Sequence, residues 1–376
     1  MKRLVLLGGG HAHLFVLERL ARERPPEVEV TLVSPSDAQV YSGMLPGWIA
    51  GTYPLAACSI PLAGLAARAG ARFVRQACVR LDAGARVVET ADGRQMIEYD
   101  RLSIDAGAAT AVHAIPGAAT FATPVRPLDG FIDAIRRFVA DAAAGHECDA
   151  LVVGGGAAGV EIAFALQARL AALGRRDAQV SAVGAALRPL EGLPRVVRWR
   201  AGKLMRDRGI AWLGGRRVCA ITAHGAVLDD GTSIGARNVF VATGAAAQPW
   251  IAASGLATDD EGYARVDATL RSISHPQVFA AGDCAAYATP RPKSGVFAVR
   301  AGPPLAENLL RSLAGEPLRA WRPQRRALYL VSTGTGEALG ARGAFGWWGA
   351  WAWRWKDRID RRFVERFRAS AEAAAD

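Results

Sequence analysis

The chain opens on a short apolar run, Leu4 to Leu7, which gives way to three glycines, Gly8, Gly9 and Gly10, and then to apolar positions at Leu14, Leu17 and Leu20. That order predicts strand, tight turn and helix. The pattern returns in ALVVGGGAAGVEIAFALQ, residues 150–167, where Gly154, Gly156 and Gly159 complete a GxGxxG turn 146 residues after the first. Glycine permits such a turn and lets the backbone approach a pyrophosphate, whose charge rests on the amide-rich start of the following helix. Two such units predict two dinucleotide cradles. The first would use Gly8, Gly10, His11, Ala12 and His13, the second Gly154, Gly156, Ala158 and Gly159. His13 stands where a third glycine is usual. A side chain there must hold helix and strand apart or reach the cofactor, and the helix dipole keeps its imidazole neutral. A structural or cofactor-contacting role is therefore expected ahead of proton transfer.

An acidic residue normally closes the second strand of each unit and holds the adenine ribose. It is missing twice. The first unit offers Ser34, followed by Pro35, and the second offers Gly184. Serine still hydrogen-bonds a ribose hydroxyl, while Gly184 removes a charge that would repel a 2′-phosphate and Arg188 lies close by in sequence. NADH and NADPH thus both remain open. Near the end of the chain Trp347, Trp351, Trp355, Ile359, Phe363 and Phe367 recur every four residues, which reads as one helical stripe with an arginine-rich remainder. Such a helix, over residues 343–368, suits an anionic membrane surface; docking on its own protein or on a second subunit of a homodimer is the alternative.

At 376 residues and 51% hydrophobic composition the chain can bury two domain cores. Cysteines at 58, 78, 148, 219 and 284 form no CxxC pair and no disulfide framework, which fits a reducing, cytoplasmic setting. No metal site is expected. The start of the chain lacks a signal-peptide pattern, and no apolar stretch is long enough to span a membrane. The formal charge of +11 draws eight Lys/Arg against three Asp/Glu from residues 342–368. No nucleic-acid module accompanies it, so nucleic acid is not an expected partner.

HPQVFAAGDCA, residues 275–285, resembles the second flavin motif of the pyridine nucleotide-disulfide oxidoreductase superfamily. The resemblance assigns Gly282 and Asp283 to the ribityl chain of FAD. VFVATGAAAQP, residues 239–249, and YDRLSIDAGAAT, residues 99–110, resemble the crossovers that follow its two nucleotide domains, which places Thr243 and Gly244 in one and Ala106 and Gly107 in the other. GGGHAH, YSGMLPGWIAG and KSGVFAVRAGP look closest to the flavoprotein module fused to selenophosphate synthetase, in the branch of type II NADH dehydrogenases. On the same grounds Gly43, Val79, Val296 and Phe297 are assigned to the cofactor, with the last two supplying backbone amides. Lys293 is expected to place a cation near the flavin, and Glu161 to relay a proton as catalytic partner. Cys284 reads as a buried, inert thiol.

The resemblance implies an α/β fold with two Rossmann-like domains: an FAD domain at 1–115 plus 265–320, an NAD(P)H domain at 146–264, and a carboxy-terminal region from 321 to 376. Residues 116–145 read as a linker ending in a helix. The implied activity is transfer of electrons from NADH or NADPH through FAD to a quinone or similar acceptor, by an enzyme that is cytoplasmic or peripheral on the membrane. The alternatives are oxidation of sulfide or a selenium compound, which needs two cysteines beside the flavin, and a flavin-binding partner module without turnover.

Overall fold

The computed structural model describes residues 1–93 and 95–372. The strands of its two parallel sheets are, in chain order, β1 (Lys2–Leu7), β2 (Val28–Val33), β3 (Ala71–Val74), β4 (Arg101–Ile104), β5 (Thr123–Pro124), β6 (Ala150–Val153), β7 (Val180–Gly184), β8 (Ala211–Gly214), β9 (Asn238–Val241) and β10 (Val278–Ala280). The helices that matter here are α1 (His11–Arg22), α2 (Leu62–Arg68), α3 (Leu128–Ala143), α4 (Ala157–Ala172), α5 (Arg195–Asp207), α6 (Gly295–Ala314) and α7 (Ala350–Glu372). The first sheet runs β10-β4-β1-β2-β3 and the second β5-β9-β6-β7-β8. Leu4 to Leu7 and Ala150 to Val153 are buried throughout, as expected of parallel strands covered on both faces.

The chain leaves the first sheet after β4, builds the second, and returns to add β10. Residues 116–145 do more than connect: they contribute β5 to the edge of the second sheet, and α3 packs Phe131 and Phe138 edge-on against Phe240 of β9.

Three antiparallel strands follow, β11 (Leu328–Ser332), β12 (Ala338–Arg342) and β13 (Phe345–Gly349), and then α7. Here the single aromatic stripe expected from the sequence is corrected twice. Trp347 lies on β13, because the helix starts only at Ala350. Beyond that, a four-residue step in a helix of about 3.6 residues per turn overshoots a full turn by about 40°, so the row winds around the helix. Trp351, Trp355 and Ile359 are exposed, whereas Phe367 is buried. The inward row is Ala352, Lys356, Asp360, Val364, Phe367 and Ala371. Through it α7 reaches the first fold, with Phe367 against Phe15 and Phe363 stacked on Tyr41 at 4.6 Å. The preceding sheet reaches the second fold, where Arg208 beyond α5 donates to the Thr333 carbonyl and pairs with Glu337. Among the described residues no helix is long and apolar enough to cross a membrane.

Candidate active site

β1 delivers the chain to Gly8, whose φ of +97° puts it in the left-handed region that only glycine adopts freely. Its amide donates to the Val33 carbonyl at 2.8 Å, which ties the glycine turn to the end of β2. A cleft of 530 Å³ opens at these carboxyl ends, lined by Gly8, Gly9, Gly10 and His11, by Ser34 and Pro35, by Gln76 and Cys78 after β3, by Ala106 and Gly107 after β4, and by Asp283. Its size and its place at the sheet's carboxyl edge fit a dinucleotide. The His11 Nε2 is enclosed there without a hydrogen-bond partner among the described residues, so a polar ligand has an unmet group to engage. A larger groove of 920 Å³ lies at the opposite ends of β1 and β2. Several of its charges pair among themselves, Arg19 with Glu23 and Arg311 with Glu307 and Glu316.

Ala12 and His13 are buried and turn away from the cleft. His13 joins the Gly8 carbonyl (Nδ1, 2.6 Å) to the Ser103 hydroxyl (Nε2, 2.8 Å), and burial lowers its pKa to about 4. It spaces α1 from β4. Asp283, held by the turn at Gly282 (φ +73°), pairs with the Arg126 guanidinium at 2.7 Å. Arg126 also lines the cleft and gives it a cation that the motifs did not reveal.

In the second fold Gly154 has φ of +140°, Gly159 lies where any Cβ would enter the Gly154 carbonyl, and Gly156 with Ala158 leaves the start of α4 exposed. Thr243 and Gly244 (φ +50°) follow β9 at the matching crossover. The missing acid has a steric cause. The Trp212 indole fills the space beside Gly184, where a Cβ would stand 2.6 Å from the ring, and its Nε1 donates to the Leu187 carbonyl at 3.0 Å. That bond fixes the loop carrying Arg188, which is exposed and has no acidic partner among the described residues.

Glu161, on α4, accepts the Ser332 amide at 2.7 Å from β11. Burial raises its carboxyl to about 7, against the pull of Lys356 and the Ser332 amide. Lys356, buried on α7, donates to the Gly43 carbonyl (2.5 Å) and to Asp360 (2.6 Å). Burial disfavours its charge, but Asp360 and Glu161 outweigh that and raise its pKa. Asp360 also accepts from Tyr41, whose ring stands edge-on to His11 at 5.5 Å. Glu161 and Gly43 thus meet through Lys356 and Asp360 of the carboxy-terminal helix.

The remaining assignments scatter around the cleft. Lys293 donates to the Ala285 carbonyl at 2.7 Å and sits 3.6 Å above the Tyr263 ring, off the cleft lining. At the start of α6 it is Gly295 and Ala298 that line the cleft, while Val296 is exposed and Phe297 is buried. Val79 is exposed on a strand beyond Cys78. Cys284 is buried and burial pushes its thiol up to about 12. Sequence reasoning missed Asp105, Arg126, Trp212, Lys356 and Asp360. Asp105 left one readable signal: the first crossover has Asp105-Ala106-Gly107 where the second has Ala242-Thr243-Gly244.

Comparison with known proteins gives the same architecture. The family model described as pyridine nucleotide-disulphide oxidoreductase matches residues 2–302. An NADH dehydrogenase-like protein of Mycobacterium tuberculosis is 30% identical over 350 residues, 86% of this chain and 83% of the relative. A type II NADH:quinone oxidoreductase of Staphylococcus saprophyticus is 24% identical over 92% of this chain and 89% of its own length. Among solved structures, NDH2 from Plasmodium falciparum, determined in complex with NADH, superposes with a TM-score of 0.82 at 14% identity, covering 96% of this chain and 97% of that one.

Proposed function

From the premise that this chain belongs to the pyridine nucleotide-disulphide oxidoreductase family and is an oxidoreductase, we propose that it oxidises NADH or NADPH through bound FAD and passes the electrons to a quinone or similar acceptor. The observation that carries this reading is Glu161 of the second glycine-turn fold standing beside Lys356, which binds the Gly43 carbonyl of the first. FAD, when bound, supplies the electron transfer between nicotinamide and acceptor. The type II NADH:quinone oxidoreductase of Staphylococcus saprophyticus supports the quinone.

Each chain residue then has a role set by its chemistry. The backbone of Gly8 to His11 borders the pyrophosphate, Ser34 offers its hydroxyl to the ribose, and Arg126 opposes the cofactor's negative charge while steadying Asp283. The exposed start of α4 takes the nicotinamide dinucleotide. Glu161 holds a proton at Oε2, since Oε1 accepts the Ser332 amide, and a carboxyl raised to about 7 is suited to donate it near neutral pH. Lys356 remains charged beside it and favours the ionised carboxylate, so it opposes reprotonation and holds the carboxyl below where burial alone would put it. The sulfide alternative finds less support, because Cys284 and the cleft-lining Cys78 are both pushed up to about 12 and lack thiolate character.

Anaerobic titration of the purified flavoprotein with NADH and NADPH, then addition of a short-chain quinone, tests the reading. Bleaching followed by recovery of the flavin colour is expected. Flavin that neither nucleotide bleaches would sink it, and bleached flavin that quinone leaves colourless would move the acceptor elsewhere.

The acceptor's location can be tested separately. The outward row of α7 alternates Trp351, Trp355 and Ile359 with Arg354, Arg358 and Arg362, while Trp347, Trp351 and Trp355 stack within 6.4 Å of one another. Aromatic and cationic side chains in one exposed row suit the interface of an anionic bilayer. Flotation with anionic liposomes is therefore expected for the intact chain and lost in Trp351→Ser/Trp355→Ser. Equal recovery of both would reject membrane contact through this row.

A further inference from the structure

The two internal folds differ at a pair of positions beside their glycine turns. Where the second has Gly159 and Ala242, the first has His13 and Asp105, each at the same place in its strand, turn and helix. The consequence appears at the helix starts. Among the described residues no side chain caps α4, whereas at α1 the Asp105 Oδ2 accepts the amides of Ala12 (2.7 Å) and His13 (3.1 Å). Asp105 is 2% exposed, and its other oxygen lies against the Gly282 turn, where a Cβ on that glycine would stand 2.6 Å from Oδ1. The carboxyl is wedged between α1 and the Asp283 turn, and Asp105 is among the residues that line the cleft. Ionised, it would set a second anion on the helix start that, under the function proposed above, serves the FAD pyrophosphate.

A neutral acid removes the conflict, because one oxygen still accepts the amides while the other becomes a hydrogen-bond donor. We propose that Asp105 carries a proton in the FAD-loaded protein and holds the cofactor as a donor, so that binding FAD takes up a proton. This rests on the FAD reading. The groups around the carboxyl are Asp283 and Cys284 from its turn, Tyr287 beyond them, His11 and His13 from α1, and Arg126 across the cleft. Burial, then the Asp283 charge, push Asp105 up to about 7 against the pull of the two amides. Burial also lowers His11 and His13 to about 4 and pushes the Cys284 thiol to about 12, so none of those three changes charge near neutrality. Because FAD favours the protonated form, its Kd is expected to be level in mild acid and to climb toward about tenfold per pH unit above about pH 7.

Flavin-free protein reconstituted with FAD between about pH 6 and about pH 9, followed by flavin fluorescence, gives this profile. Calorimetry in two buffers of different ionisation enthalpy counts the protons. Up to one proton taken up per FAD is expected at about pH 8, and Asp105→Asn, which keeps the shape but cannot ionise, should flatten the profile and bind at least about tenfold tighter than wild type at about pH 8.5. A flat wild-type profile with buffer-independent heat overturns the proposal, as does Asp105→Asn with the wild-type slope. Should that variant not fold, the wild-type proton count decides alone. Protein that takes up no FAD at any pH defeats the flavin reading itself, which is a different failure.

Discussion

The imidazole of His13 is fixed in one tautomer by its partners. The Gly8 carbonyl can only accept, so Nδ1 carries the hydrogen, and Nε2 accepts a hydrogen bond from the Ser103 hydroxyl. A side chain bonded at both ends inside the protein is a brace. His13→Gly therefore leaves a buried carbonyl and hydroxyl without partners and loosens α1, at a cost of about 2–5 kcal/mol, while flavin binding survives. Urea unfolding and the flavin absorbance of the purified variant check the two halves; loss of flavin from a stable variant would show that the imidazole itself touches the cofactor. Glu161 is the opposite kind of residue, held at one oxygen and free at the other. In Glu161→Gln, quinone-dependent turnover should fall about 100-fold or more, because the proton donor is gone, while reduction of the flavin by NADH or NADPH is unchanged. Equal loss in both half-reactions would assign Glu161 to architecture. Its pKa has a second consequence. A carboxyl raised on folding from 4.5 to about 7 binds more protons in the native state, so stability falls as pH rises across that interval and is level above it. Glu161→Gln removes its share of that decline, which denaturation at pH steps through the interval measures.

At the scale of elements, what could be read from the sequence was whatever depends on neighbours in the chain. Both strand, turn and helix units declared themselves because the glycines, the apolar run before them and the helical period after them are local. The start of α6 after Lys293 was legible for the same reason. The tail was read less well. Four-residue spacing looks like a stripe over two turns, yet it winds away over four, and a lysine with an aspartate four residues on looks like a solvated pair until Gly43, Tyr41 and Glu161 are brought against it. Asp105, Arg126 and Trp212 act on partners far away in the chain, so spacing alone could not place them. The Trp212 contact also bears on the nucleotide. With the indole occupying the space of the acidic hook, a ribose 2′-phosphate meets no carboxylate there, and the loop pinned at Leu187 presents Arg188. NADPH should therefore be used at least as well as NADH, and Arg188→Ala should raise the KM for NADPH about tenfold while that for NADH stays put. Parallel changes in both would show that Arg188 serves the fold and not the 2′-phosphate.

Across the whole molecule, the residues after 320 connect the two dinucleotide folds. Glu18 of the first fold binds Arg366 bidentately, Tyr53 hydrogen-bonds Asp357, and Arg208 of the second fold grips the loop before β12. The centre of this connection is the Lys356–Asp360 pair, with first-fold groups at Gly43 and Tyr41 and the second-fold Glu161 beside it. Burying two charges costs solvation that their attraction only partly returns, so the pair is a poor source of stability but a stringent test of alignment. Lys356→Met leaves Asp360 buried without its cation and should cost about 3–5 kcal/mol, whereas Lys356→Met/Asp360→Leu should recover more than half of that, because no charge is left uncompensated. Chemical denaturation of the three proteins decides the energetic part. The functional part is separate: the double variant has lost both the lysine that lowers the Glu161 carboxyl and the smaller opposing push of Asp360, so the carboxyl titrates higher and the quinone-dependent rate should hold to a higher pH than wild type, since a proton donor stays loaded longer as its pKa rises. If the double variant were as unstable as the single one, the junction would depend on the hydrogen bonds to Gly43 and Tyr41 more than on charge balance. If its pH profile matched wild type, Lys356 would be a clasp between the folds with no influence on the proton at Glu161.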